Sequence, residues 1–112
     1  KADRREWGAL VDSYLQEHRP WVVLLVDSKV GATPLDVDAF RYLMDLGRGV
    51  TVVATKIDRL SRGKWPAALA GIRKTLELPE EIRLIPVSAH SGDGIKELWS
   101  DVSLRLEARH DD

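Results

Sequence analysis

Two short segments hold residue types that could read a nucleobase. Val50-Thr51-Val52-Val53-Ala54-Thr55-Lys56-Ile57-Asp58 is a β-branched run that ends in a lysine and a carboxylate, and Ile85-Pro86-Val87-Ser88-Ala89 is a second run that ends in two small residues. A carboxylate at Asp58 can accept two parallel hydrogen bonds from the N1–H and 2-amino group of guanine, a donor pair that adenine does not present. Lys56 can lay its alkyl stem along the base while its ammonium faces nearby oxygens. Ser88-Ala89 can offer a backbone N–H to the guanine carbonyl oxygen. A nucleotide fold with this base-reading pair is expected to carry a glycine-rich phosphate cradle, G-x-x-x-x-G-K-[ST], as well. The sequence contains none.

A bare [NT]-K-x-D string is a weak signal, so its value depends on the elements around it. Trp21 to Val26 is a continuous apolar run rich in valine, which predicts a strand covered on both faces of a parallel sheet and ended by Asp27. After the loop Ser28 to Thr33, Pro34 suits the first turn of a helix burying Leu35, Phe40 and Leu43 and terminated by Gly47 and Gly49. Val50 to Ala54 reads as the next strand. A third helix buries Leu69, Ile72 and Leu76 and ends near Pro79, Ile82 to Val87 is the third strand, and Ser91-Gly92-Asp93-Gly94 is a turn. Ile95, Leu98, Trp99, Val102 and Leu106 then give a helical stripe. Upstream, Trp7, Leu10, Val11, Tyr14 and Leu15 predict a helix over Asp3 to Glu17, stopped by Arg19-Pro20.

The order αβαβαβα predicts an α/β fold of three parallel strands with flanking helices in one domain, residues 1–112. In such a sheet, ligands gather where the carboxyl ends of the strands meet their loops, and Asp27, Thr55 to Asp58 and Ser88-Ala89 all fall there.

The 112 residues are enough for one core, and 44% hydrophobic with 31% charged residues is ordinary for a globular chain. No stretch approaches the roughly 20 apolar residues of a membrane span. A net charge of −1 gives no general attraction to polyanions, and zero cysteines exclude disulfides and thiolate metal sites, which fits a reducing cytoplasm. The chain opens on Lys1, in what reads as the body of a helix, so it is expected to be a piece of a longer polypeptide.

Plainer readings stand beside these. Asp58 could cap the turn that follows it, and Lys56 could be a solvated surface charge. Asp27 reads as a strand-end residue that fixes its loop rather than a catalytic acid. Trp7 and Trp99 read as core, Trp65 as packing, and His18, His90 and His110 as solvated or structural, since they lack metal-ligand spacing. Arg62, Arg73 and Lys74 read as simple solvation. A phosphoacceptor receiver domain would use Asp27 and Lys56, but no adjacent acidic pair follows the first strand to hold magnesium.

Taken in order, the motifs resemble the EngB (YihA/YsxC) family of GTPases. W-x-x-L-[IV]-x-x-Y-L is seen at Trp7 to Leu15, V-V-L-L-V-D at Val22 to Asp27, and T-x-x-D at Thr33 to Asp36. T-K-x-D-[KR]-L-S is Thr55 to Ser61, S-[AS] is Ser88-Ala89, and G-I-x-E-L-W is Gly94 to Trp99. The resemblance implies an incomplete P-loop GTPase (G domain) fold, the carboxyl-terminal portion, with its phosphate-loop half missing. It implies GTP or GDP held at the guanine end only, by Thr55, Lys56, Asp58, Ser88 and Ala89, with no catalytic or metal residue in this chain. Magnesium belongs to the intact family protein. The implied setting is assembly of the large ribosomal subunit in the bacterial cytoplasm, with no membrane role. The strand at Val22 to Val26 would then lack a neighbour, so self-association through its edge is expected.

Overall fold

The computed structural model describes residues 20–110 together with Leu10, Ser13 and Tyr14, with side chains described up to Arg105. The helix expected over Asp3 to Glu17, with Trp7, therefore lies mostly outside the described residues. Three parallel strands form one sheet in the order β1-β2-β3: β1 is Val22–Asp27, β2 is Val50–Thr55 and β3 is Leu84–Pro86. Val22 pairs with Val50 through to Asp27 with Thr55, and Val52 to Ala54 pair with Leu84 to Pro86. Parallel neighbours need crossovers, which are supplied by helix α1 (Pro34–Asp45) and helix α2 (Trp65–Leu76). Helix α3 (Ile95–His110) follows β3.

The sheet is covered by two layers of unequal width. On one face Val26, Val50, Val52 and Ala54 pack with Phe40 and Leu43 of α1 and Ile72 and Leu76 of α2. On the other, Val53, Ile85 and Val87 pack with Ile95 and Leu98 of α3. β2 is central and buried on both faces, as its valine run requires.

The same reasoning fails for β1, which among the described residues is covered on one face only. Val23 and Leu25 are 38% and 60% exposed, because α3 lies over β2 and β3 and leaves β1 bare. Trp99, expected in the core, is 65% exposed. At about 100° per residue it lies well round the helix from Leu98, and Asp101 rather than Trp99 takes the inward position one turn on. Leu35 is also exposed, about 140° round α1 from the buried Phe40.

Local chemistry sets the ends of the elements. Thr33 and Asp36 form a reciprocal cap for α1: the Asp36 N–H donates to Thr33 Oγ1 (3.2 Å) and the Thr33 N–H to Asp36 Oδ2 (2.8 Å). Gly47, at φ +68°, ends α1 in a Schellman motif in which Arg48 N–H donates to Leu43 O and Gly47 N–H to Met44 O. Gly49 has a different role from the one its sequence position suggests. A Cβ there would lie 2.0 Å from the Trp21 ring.

β3 is shorter than the Ile82 to Val87 segment expected. Ile82 closes a turn onto Pro79 O, and Pro86 has no N–H to donate. Pairing nevertheless continues past the strand, from Val87 N–H to Ala54 O (2.8 Å) and from Ile57 N–H to Val87 O (3.1 Å). These two bonds hold the segment after β2 against the segment after β3. Gly94 closes the second segment, since a Cβ there would meet Pro86 O at 1.9 Å.

At the opposite end of the sheet a buried polar network clamps α3. Asp101, 1% exposed, accepts from Thr51 Oγ1 (2.6 Å), Arg83 (3.3 Å) and Arg105 (3.5 Å). Trp21 Nε1 donates to the same Thr51 Oγ1 (2.9 Å), and the Arg105 guanidinium lies over the Trp21 ring at 4.0 Å. A carboxylate this deep persists because its oxygens are matched by charged and hydroxyl donors.

Candidate functional site

The loops that leave β1, β2 and β3 meet at one rim of the sheet. Ile57, fully buried, anchors a short 3₁₀ turn, Ile57–Arg59, whose second residue is Asp58. Lys56 precedes it in the left-handed region, at φ 56° and ψ 35°. That conformation costs a non-glycine residue about 1–2 kcal/mol. It turns the lysine back over the rim, where Nζ lies 3.3 Å from Asp27 Oδ2.

Asp27 organises its own loop. Its Oδ1 accepts from the Lys29 N–H (2.8 Å) and the Val30 N–H (3.1 Å). The Val30 hydrogen bond is the main cause holding the Asp27 carboxyl below its ordinary value; desolvation opposes it, and the Lys29 N–H and Lys56 ammonium reinforce it.

Ser88 is buried beneath the rim and joins both loops. Its Oγ donates to Asp58 Oδ1 (2.8 Å) and accepts from the N–H groups of His90 (3.2 Å) and Ser91 (3.0 Å). Its own N–H donates to Asp93 O (2.9 Å), so it does not face a ligand. Among the described residues Asp58 Oδ2 accepts no hydrogen bond, and the Ala89 N–H donates none. Both residues line one cleft of about 410 Å³, with Lys56, Arg59 and His90.

A carboxylate edge and an uncommitted amide on one cleft wall fit a planar heterocycle that presents a donor pair and a carbonyl oxygen. Guanine has that pattern. Of the five residues named from sequence, Lys56, Asp58 and Ala89 line the cleft. Ser88 supports Asp58 from below. Thr55 does not reach the cleft: its Oγ1 donates to Val26 O (3.3 Å) and ties β2 to β1. Arg59 and His90 line the cleft without having been singled out, and only their adjacency to the two motifs signals it. Among the described residues no cluster of His, Cys, Asp or Glu is suited to hold a metal.

Two arginines read as solvated are engaged. Arg62 pairs with Asp93 (3.0 Å) and lies over Trp65 at 4.7 Å, and Arg73 donates to Ile82 O (2.9 Å). Trp65 packs there, with Nε1 donating to Leu60 O (3.0 Å).

The chain is similar to known proteins. The "Probable GTP-binding protein EngB" of Myxococcus xanthus is 39% identical over 101 residues, which is 88% of this chain and 48% of the relative. That of Natranaerobius thermophilus is 35% identical over 101 residues, 88% of this chain and 52% of the relative. The chain belongs to the EngB family. It spans about half the length of these EngB relatives. No family model matches the chain. Among solved structures, a probable GTP-binding protein engB superposes with a TM-score of 0.76 at 21% identity, covering 93% of this chain and 68% of that one. The translation elongation factor SelB of Methanococcus maripaludis, in its apo form, superposes at 0.72 and 20% identity, covering 83% of this chain and 22% of that one. At these identities the likeness establishes the fold, that of P-loop GTPase G domains. Among the described residues no helix is long and apolar enough to cross a membrane.

Proposed function

We propose that this EngB-family chain is the guanine-recognition portion of a G domain. Asp58 reads the N1–H and 2-amino edge, the Ala89 N–H meets the carbonyl oxygen, and the stem of Lys56 covers one face of the base. Ser88 and Thr55 hold these groups in place without touching the ligand. The observation that carries the reading is the Ser88–Asp58 hydrogen bond of 2.8 Å, which aims the carboxylate across the cleft shared with Ala89.

Binding by this chain alone is weak. A few charge-assisted hydrogen bonds of about 1.5–3 kcal/mol each oppose an association cost of about 4–15 kcal/mol, so millimolar or weaker affinity follows. The chain does not hydrolyse GTP. Phosphoryl transfer depends on positioning and on charge stabilisation around the phosphates, and the sequence holds no glycine-rich cradle to supply them. Magnesium acts only in an intact family protein. The ribosomal large subunit as partner, its assembly as the role, and the cytoplasm as the location rest on the family resemblance.

The reading is tested by titrating the ¹⁵N-labelled chain with guanosine monophosphate and with adenosine monophosphate. Guanine-specific amide shifts at Lys56, Asp58 and Ala89 are expected. Equal response to both nucleotides would overturn it, as would micromolar affinity for GTP that depends on its phosphates.

A second reading, self-association, rests on the edge of β1, unpaired among the described residues, and its exposed Val23 and Leu25. Such an edge is adhesive. Sedimentation should show concentration-dependent dimers, and a strictly monomeric species at high concentration would contradict it.

A further inference from the structure

Asp27 does not line the base cleft, yet its carboxylate reaches a residue that does. Its Oδ1 is committed to the Lys29 and Val30 N–H groups, at 2.8 and 3.1 Å, so the carboxylate cannot turn freely. Oδ2 is thereby held toward Lys56 Nζ, 3.3 Å away.

The backbone fixes where the two residues stand. Asp27 pairs in register with Thr55, and the Ser28 N–H carries the ladder one bond further, to Thr55 O (3.0 Å). On the far side of Lys56, the Ile57 N–H is held by Val87 O (3.1 Å). Lys56 therefore sits between two anchored residues, which retain it in a left-handed conformation that residues with a Cβ seldom adopt.

A lysine stem is a flexible four-carbon chain, and this side chain is 54% exposed. Untethered, it would spread over many rotamers. Held at Cα by the end of β2 and at Nζ by Asp27, it is confined beside the cleft that it lines. Ordering the stem before a ligand arrives removes part of the entropy cost of binding.

We propose that Asp27 is a positioning residue for the base site: its carboxylate holds the Lys56 ammonium so that the methylene stem stands ready against one face of the guanine ring. Asp27 itself touches no ligand. The inference rests on the guanine reading of the cleft.

The test compares four ¹³C,¹⁵N-labelled chains, namely wild type, Asp27→Asn, Lys56→Met and the double variant, in NMR titrations with guanosine monophosphate. Asparagine keeps an oxygen for the Lys29 and Val30 N–H groups but sets an uncharged amide donor before the ammonium. The loop should persist, with the Lys29 and Val30 amides still protected from exchange, while the tether is lost. Asp27→Asn should then weaken binding about two- to fivefold, the range of a solvent-exposed ion pair. In the free chain, relaxation at Lys56 Cε should report a more mobile side chain in this variant than in wild type. Methionine keeps an apolar stem and has no ammonium to hold, so in the Lys56→Met background Asp27→Asn should cost nothing further.

The inference is overturned, with the base site left standing, if Asp27→Asn binds as tightly as wild type. It is overturned in the same way if Asp27→Asn weakens binding equally in both backgrounds, the mark of a residue that serves only its loop, or if it leaves Lys56 Cε no more mobile. Absence of guanine-specific shifts in the wild-type chain would instead overturn the base reading, and this inference with it.

Discussion

Replacing Ser88 by alanine removes a side chain that joins the two loops of the proposed base site. Three hydrogen bonds are lost: the donation to Asp58 at 2.8 Å and the acceptances from His90 and Ser91 at 3.2 and 3.0 Å. A bond to a charged group is worth about 1.5–3 kcal/mol and a neutral one about 0.5–1.5 kcal/mol. Asp58, His90 and Ser91 are exposed residues that water can re-solvate, so the lower ends apply, and losing the buried hydroxyl recovers some desolvation. The expected destabilisation is about 2 kcal/mol, a sizeable share of the about 5–15 kcal/mol typical of a domain. Urea unfolding should show a lower midpoint with an unchanged slope, because the surface exposed on unfolding is the same. Amide exchange at His90 and Ser91 should accelerate more than at Val52 in the centre of the sheet. A double-mutant cycle with Asp58→Ala should give a coupling of about 1 kcal/mol, within the range for residues in direct contact. A destabilisation below about 0.5 kcal/mol, or no coupling, would show that the bond does not organise the site.

Lys56→Gly relieves a left-handed backbone worth about 1–2 kcal/mol but gives up a solvent-exposed ion pair worth at most about 1 kcal/mol. Urea unfolding should therefore show stability unchanged or slightly raised, while guanine-dependent shifts weaken; a clear loss of stability would contradict the strain at this position. Asp27 has a folded-state value below its ordinary 3.8, so the stability it lends its loop is complete above about pH 4 and is lost as pH falls through the lower folded value. The Lys29 and Val30 amide resonances should titrate with a midpoint below 3.8, and Asp27→Asn should abolish that titration.

The central elements were legible because their signals are local. The β-branched run of β2 and the Pro34 and Gly47 punctuation of α1 each name one conformation for physical reasons contained in a few residues. That Asp58 and Ala89 line one cleft was legible because both follow strands that end at the same rim of the sheet. What was not legible depends on width and on distance along the chain. An apolar strand shows that it can be buried on both faces, but the breadth of the α3 layer decides whether it is; Val23 and Leu25 fall outside that breadth, and Trp99 lies round α3 from the face that packs on the sheet. Asp101 looks like any surface carboxylate on a helix until Thr51, 50 positions earlier, is placed beneath it. Thr55 matched its motif and still turned away from the cleft, because its hydroxyl has a carbonyl of β1 to bond.

The claim that Asp58 reads the guanine edge is tested most directly by exchanging its acceptor for a donor. In the Asp58→Asn chain, amide shifts at Lys56 and Ala89 should no longer respond to guanosine monophosphate and should respond instead to xanthosine monophosphate, whose 2-oxo group replaces the amine. Unchanged response of the variant to guanosine monophosphate would show that the carboxylate does not face the base.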